Sequence, residues 1–303
     1  MLQTDVLKEQ LQNGIFADRL ADIYVDTAKI PYQTNRYINA ITTYEKHFGT
    51  DGVEIYSAPG RSEIGGNHTD HQHGEVLAAS INNDAIAIVK ALDEPTVKVI
   101  SDGYDLITIS LDNLTRKEEE EGTTISLIKG VLAGFVEHSH KVGGFQAYIT
   151  SDVLIGAGLS SSAAFETIIG TIISGLYNDM TISPIEIAII GQYAENVYFG
   201  KPCGLMDQMA CSVGSLVHID FANPADPMVE RVEFDLDAHG YSLCITDTKG
   251  SHADLTPDYA AIPAEMKAAA ACFGKEVLGE VSKEEVLANL NVIREQVNDR
   301  AAL

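Results

Sequence analysis

Basic residues are scarce in this chain. Its 303 residues hold 20 Lys and Arg against 44 Asp and Glu, a formal charge of −24. So acidic a surface repels a nucleic-acid backbone and an anionic membrane alike, so neither is expected as a partner, and solubility is the expected benefit. Long apolar runs are missing too. Stretches such as 167–175 are interrupted by Gly, Ser or Thr and fall short of the ~18 residues that a membrane span needs. The opening Met1-Leu2-Gln3-Thr4-Asp5 lacks the basic-then-apolar order of a secretory signal. Cysteine is sparse: Cys203, Cys211, Cys244 and Cys272 include no C-x-x-C pair and read as reduced, mostly buried thiols of a cytoplasmic protein. No internal repeat or low-complexity linker divides the chain. With 45% hydrophobic and 21% charged residues, it reads as globular, with a length suited to roughly two domains.

What is present has a legible order. Residues 1–48 are polar and helix-prone, with Leu7, Leu11, Ile15, Leu20 and Ile23 at helical spacing, which suggests an appended cap rather than a core element. A strand-like run over 53–58 is closed by Pro59-Gly60, and a long apolar run over 76–92 is interrupted by Asn82-Asn83-Asp84. Short strands are expected at 97–101, 106–111 and 145–150, and the acidic run 118–121 as a solvated loop or helix start. Helices are expected at 125–137, at 160–177 (apolar on nearly all sides, hence buried), from Ser183-Pro184 with its N-cap and first-turn proline, and from about Leu205. Beyond these, 215–221, 229–234 and 241–246 read as strands and 257–273 and 283–298 as helices. The closing residues 298–303 form helix without a Gly or Pro stop, which suggests truncation.

Three segments are dense in groups that do chemistry. In Ile155-Gly156-Ala157-Gly158-Leu159-Ser160-Ser161-Ser162-Ala163-Ala164, glycines let backbone approach a bulky anion, and three serines add hydroxyls at a helix start. That is a cradle suited to phosphate. The lysine of a Walker loop is absent, and so are the third glycine and the later acidic residue of a dinucleotide fingerprint. A serine-capped helix after a glycine turn is the plainer alternative. The second segment, 58–74, packs Arg61, Glu63, Asn67, His68, Asp70, His71 and His73 between glycines. A metal cluster there lacks a second group of ligands downstream, which leaves a solvated turn or recognition of sugar-like hydroxyls. In the third, 194–208, Glu195 lies near one helix end and Asp207 near the next helix start. Two carboxylates held this way suit a division of labour between a cation and a substrate proton, although a surface Glu and a capping Asp fit equally.

Together the three segments, in this order, resemble the galactokinase branch of the GHMP small-molecule kinases, from about Asp51 onward. The resemblance rests on Gly60-Arg61 … His68-Thr69-Asp70, on Gly158-Leu159-Ser160-Ser161-Ser162-Ala163-Ala164 and on Cys203-Gly204-Leu205-Met206-Asp207-Gln208. It implies an α+β, two-domain fold with a left-handed βαβ crossover, a rare handedness, and a ferredoxin-like C-terminal domain present only in part. The implied units are a helical extension over 1–48, an N-terminal kinase domain over 49–212 and a partial C-terminal domain over 213–303. The implied reaction is transfer of the γ-phosphoryl group of ATP to the anomeric hydroxyl of galactose, in a cytoplasmic monomer. By the match, Asp207 accepts the hydroxyl proton and Arg61 keeps it ionised while stabilising the phosphoryl group. Gly156, Gly158, Ser160, Ser161 and Ser162 hold ATP, and Ser162 and Glu195 hold Mg2+. Glu63, Asn67, His68, Asp70, Gly204 and Tyr259 face the sugar.

Two departures qualify the match. The family loop reads G-R-V-N-L-I-G-E-H-T-D-Y-N, whereas here Asn67 replaces the glutamate, Glu63 stands where Asn is usual, and His71 replaces Tyr. An amide bonds a hydroxyl without charge, so another hexose or an amino sugar is an alternative substrate. A non-catalytic sugar and ATP sensor is a further alternative, against which Arg61, Asp207, Glu195 and the serine run argue. The family's third glycine-rich motif has no counterpart, so 1–303 alone is expected to be poorly active. With no Trp, and 12 Tyr and 9 Phe to choose from, no adenine contact is assigned.

Overall fold

One strand organises the molecule. In the computed structural model, which describes residues 1–154, 156, 158–246 and 256–303 (without the side chains of 237 and 256–260), strand β3 runs over Glu75–Leu92. The chain enters through β1 (Leu2–Gln3), α1 (Thr4–Gln12), α2 (Ala17–Tyr24) and α3 (Ile30–Phe48), then β2 (Gly52–Gly65) leads to β3. After β4 (Thr96–Ser101), β5 (Ile107–Ser110) and α4 (Thr124–Glu137), β6 (Gly144–Ser151) pairs antiparallel with β3 and parallel with β4. The backbone order is β1-β2-β3-β6-β4-β5. Helices α5 (Ser161–Asn178), α6 (Pro184–Tyr193) and α7 (Met206–Val213) follow, then β7 (Leu216–Asp220) and β8 (Met228–Arg231).

The polar triplet in β3 has a structural meaning. Residues 85–92 pair with β6 and residues 75–79 with β7, so the strand changes neighbours at Asn82-Asn83-Asp84. Opposite, the β2 register jumps from Pro59↔Asp84 to Arg61↔Ser80. Pro59 therefore does not end the strand as the sequence suggested. With no N–H to donate, it sits at an irregularity where none is required, and β2 continues to Gly65. Gly60 at this jump has no room for a side chain, since a Cβ would meet the Leu159 carbonyl and Val153 at 2.9 Å.

The N-terminal helices are core, which corrects the expectation of a cap. Ala85, Ala87 and Val89 point to the face covered by α4–α6, with Ile128, Phe135 and Ile168, while the alternate Ile86 and Ile88 bury against α1–α3. There Tyr24, Ile41 and Tyr44 are completely buried. Each large side chain so buried contributes about 1.5–3 kcal/mol. A charged tie accompanies them: Arg36 donates to Asp84 Oδ1 at 2.6 Å and to its carbonyl at 2.7 Å, and Tyr24 donates to Oδ2 at 2.8 Å. The helix periodicity was visible in the sequence; the second apolar face of the sheet that receives it was not.

Strands β7 and β8 continue this same sheet through β3. Residues 213–231 thus add to the first sheet instead of opening one of their own, because the free half of β3 offers them its edge. The strand expected at 241–246 is not formed, and Tyr241, Leu243 and Ile245 are exposed. The closing part comprises α8 (Thr256–Ala271), α9 (Lys283–Ala288), α10 (Leu290–Gln296) and α11 (Asp299–Ala302). The single helix expected over 283–298 is split at Asn289, whose side chain donates to the Glu285 carbonyl at 2.8 Å and so competes with the helical ladder. None of the described helices is long and apolar enough to cross a membrane.

Candidate active site

Three chain segments meet beside the point where β3 changes partners. Arg61, just past the β2 register jump and 7% exposed, donates from Nε to Asp207 Oδ1 at 2.6 Å and from Nη2 to Oδ2 at 2.7 Å. Its Nη1 donates to the Gly158 carbonyl at 2.6 Å, and its backbone N–H to the Leu159 carbonyl at 3.2 Å. One guanidinium thus ties the phosphate-loop candidate to α7, using the planar fork that suits bidentate recognition. Ser160 donates its hydroxyl to Asp207 Oδ2. Burial alone raises the Asp207 carboxyl, but the charge and hydrogen bonds of Arg61, with the bond from Ser160, reverse this and hold it below the ordinary aspartate value. It is ionised at neutral pH.

Ser160 precedes α5 in the left-handed region, at φ 54°, and its hydroxyl does not cap the helix. The first amides of this 18-residue helix are therefore without a side-chain cap, beside Gly156 and Gly158, also at positive φ. Backbone donors and helix dipole together can bind an anion. Ser161 opens α5 and is half-buried. Next along α5, Ser162 donates to Glu195 Oε1 at 3.3 Å. Glu195 is buried in a π-helical turn, Ala194–Phe199, that continues α6, a distortion often found at functional sites. Lys201 also reaches its Oε1, at 3.0 Å, and Gln208 donates to its Oε2 at 2.8 Å. The same Gln208 nitrogen donates to Glu166 Oε2 at 3.0 Å. Burial, reinforced by the charge of Glu195, pushes the Glu166 carboxyl well above its ordinary value.

These last three groups were not singled out from sequence. Lys201 and Gln208 stood inside the quoted 194–208 stretch. Glu166 had its own signal, as the one carboxylate in the otherwise apolar 160–177 helix; a buried acid needs a reason.

The loop beyond Arg61 is shaped by Gly66, Asn67 and His68, all at positive φ. Glu63 turns both carboxylate oxygens to His68, accepting from its backbone N–H at 2.8 Å and facing its Nδ1. Asn67 and His68 are exposed. Asp70 is buried and accepts from the Met206 and His71 N–H groups, each at 3.1 Å. This bond docks the loop on α7, and it explains Gly204: a Cβ there would lie 1.8 Å from Asp70 Oδ2. The backbone of Tyr259 lies in α8; its side chain is outside the described residues. Among the described residues no cluster of three His, Cys, Asp or Glu forms a metal site. Ser162 and Glu195 present two hard oxygens of the kind that Mg2+ prefers.

Comparison with known proteins points to one family. A family model of the GHMP kinase N-terminal domain matches residues 126–215, which contain the phosphate-loop candidate, Glu195 and Asp207. The class is that of the GHMP kinases. A galactokinase galactose-binding signature matches residues 42–91. The galactokinase of Pyrococcus furiosus is 33% identical over 76% of this chain and 62% of its own length. That of Glaesserella parasuis is 32% identical over 86% of this chain and 67% of its own. The crystal structure of Lactococcus lactis galactokinase complexed with galactose superposes with a TM-score of 0.70 at 25% identity, covering 86% of this chain and 68% of that one. This chain belongs to the galactokinase family. It spans less than two thirds of the length of the Pyrococcus relative.

Proposed function

We propose that the protein transfers the γ-phosphoryl group of ATP to the anomeric hydroxyl of galactose. The observation that carries this is the contact of Arg61 with both Asp207 and the Gly158 carbonyl, which places an ionised carboxylate beside an anion cradle. The hydroxyl oxygen attacks the γ-phosphorus, the bond from that phosphorus to the oxygen of ADP breaks, and the hydroxyl proton passes to Asp207. Among the described residues Oδ2 already accepts from Arg61 and Ser160, whereas Oδ1 accepts from Arg61 alone. A carboxylate oxygen has about two acceptor lobes, so Oδ1 is the proton's destination. Its depressed pKa makes Asp207 a weak ground-state base, and proton transfer becomes favourable only as the attacking oxygen acidifies during bond formation.

The α5 amides with Ser160 and Ser161 hold the phosphates, and Ser162 and Glu195 would hold Mg2+, which when bound neutralises phosphate charge. His68, Asn67 and Asp70 line the sugar side. A second reading, an amino sugar or another hexose, is favoured by one feature: Glu63 is engaged with His68, so neutral Asn67 is left as the loop's exposed tip.

ADP release with a panel of hexoses and hexosamines decides between these readings. Galactose is expected to give the highest kcat/KM, and Asp207→Asn to lower kcat by about 10²–10⁴, the range of general-base contributions. Binding of ATP and galactose without ADP release, unchanged in the variant, would establish a sensor instead.

A further inference from the structure

The Ser162–Glu195 pair has a third member whose place is unusual. Glu195 is 3% exposed at its side chain, and its two oxygens have different neighbours. Oε2 is turned inward and held by Gln208 from α7. Only Oε1 faces Ser162, and that same oxygen carries the Lys201 ammonium. Any cation bridging Ser162 and Glu195 must therefore approach the atom that Lys201 already occupies. Lys201 is suited to leave. Its side chain is half-exposed, and it stands between Gly200, at φ 81°, and Pro202, on a short connection outside regular structure. The inward partner is not suited to leave, since Gln208 is completely buried.

We infer that Lys201 is an exchangeable counter-cation of Glu195, which keeps the buried carboxylate compensated when no metal is bound and yields Oε1 when a divalent cation seats against Ser162 and Glu195. The inference rests on the reading of that pair as the Mg2+ site and adds a residue to it. Physically, an uncompensated buried carboxylate is costly. A site that must be both empty and occupied during turnover needs a cation in each state. A tethered ammonium, as a single mobile point charge, can serve the first without competing too strongly in the second.

The test uses Mn2+ alone, titrated by electron paramagnetic resonance into the whole protein, alongside thermal melts without metal. Lys201→Met is expected to lower the metal-free melting temperature and to tighten Mn2+ binding by roughly five- to twenty-fold, as the competing ion pair is gone. Lys201→Arg is expected to stay within about two-fold of the parent affinity, since charge is kept. Unchanged or weakened Mn2+ binding in Lys201→Met overturns the inference. Glu195→Gln separates the two layers of the claim. Weakened Mn2+ binding there, with no gain in Lys201→Met, overturns the role of Lys201 alone. Unaltered binding in Glu195→Gln overturns the metal reading and the inference with it.

Discussion

Asp207 and Glu166 stand on neighbouring helices, and desolvation acts on both in the same direction, yet their carboxyls are shifted in opposite directions. Asp207 accepts two bonds from a guanidinium and one from a hydroxyl, and its carboxyl is pulled below the ordinary value. Glu166 accepts one bond from a neutral amide and faces the charge of Glu195, and it is pushed up. Its Oε1 and the Oε1 of Gln208 have no hydrogen-bond partner among the described residues. Burial alone therefore does not set the direction here: in Glu166 it prevails and the charge of Glu195 adds to it, whereas in Asp207 the charge and bonds of Arg61, with the bond from Ser160, overturn it. Under the proposed function this division would suit phosphoryl transfer, with one carboxylate held ionised to accept a proton and the other pushed toward its neutral form beside the proposed cation ligands.

The strongest way to break this contrast is to remove the guanidinium. Arg61→Met leaves Asp207 uncompensated and the Gly158 carbonyl without its donor. Loss of one partner from a buried pair typically costs about 3–5 kcal/mol; Asp207 keeps 31% of its side chain exposed and the bond from Ser160, so chemical denaturation should show a loss at or below the lower end of that range. Replacing both partners, as Arg61→Met with Asp207→Leu, should recover part of it. A loss below 1 kcal/mol in the single variant would mean that water compensates Asp207 and that the site is looser than its geometry.

Amide isosteres sharpen the contrast. Asp207→Asn removes charge-assisted bonds and should cost about 2 kcal/mol at pH 7, whereas Glu166→Gln puts a neutral amide where the carboxyl is pushed toward its neutral form and should cost less than 1 kcal/mol. The pH dependences run in opposite senses. The folded pKa of Asp207 is depressed, so its stabilisation is complete above the unfolded value of about 3.9 and is lost as pH falls through the lower folded value. The folded pKa of Glu166 is raised, so above about 4.3 the unfolded chain releases a proton that the folded chain keeps. Stability relative to Glu166→Gln should fall as pH rises from there. Parallel pH profiles for the parent and Glu166→Gln would show that Glu166 ionises normally.

The same contrast separates what could be read from sequence from what could not. Arg61, Asp207 and the serine run were legible because each sits in a local motif whose spacing survives in one dimension. Glu166, Gln208 and Lys201 work through contacts between helices, and no spacing connects residue 166 with 195 or 208. The fold divides likewise. Strands 97–101 and 145–150 and the helix opened by Ser183-Pro184 fell close to their observed bounds, since period and caps are local signals. The core role of the first 48 residues was hidden because the half of β3 past the polar triplet, Ala85-Ile86-Ala87-Ile88-Val89, is buried on both faces, and an apolar run of that kind does not say what covers each side. The end of β2 was misplaced at Pro59 because a proline at a register jump looks in sequence like a proline at a turn.

Ser160 offers the finest cut, since two of its properties act in opposite directions. Its hydroxyl bonds Asp207, a favourable contact to a charged acceptor worth about 1.5–3 kcal/mol at most. Its backbone sits at φ 54°, ψ 60°, where any residue but glycine carries a penalty of roughly 1 kcal/mol. Ser160→Ala discards the hydroxyl and keeps the strain, whereas Ser160→Gly discards both. Glycine also gives the unfolded chain more freedom, which returns part of the relieved strain. Glycine should thus be the milder change, by somewhat less than 1 kcal/mol in denaturant midpoints compared at equal slope. Both variants should move the Asp207 carboxyl upward, toward the ordinary value, because each removes the same hydrogen bond. An NMR titration of that carboxyl therefore separates the two contributions: equal pKa changes with unequal stabilities assign the difference to the backbone. Equal stabilities would mean that the left-handed turn is held without strain by the glycines on its N-terminal side, and the serine would then be present for its hydroxyl alone.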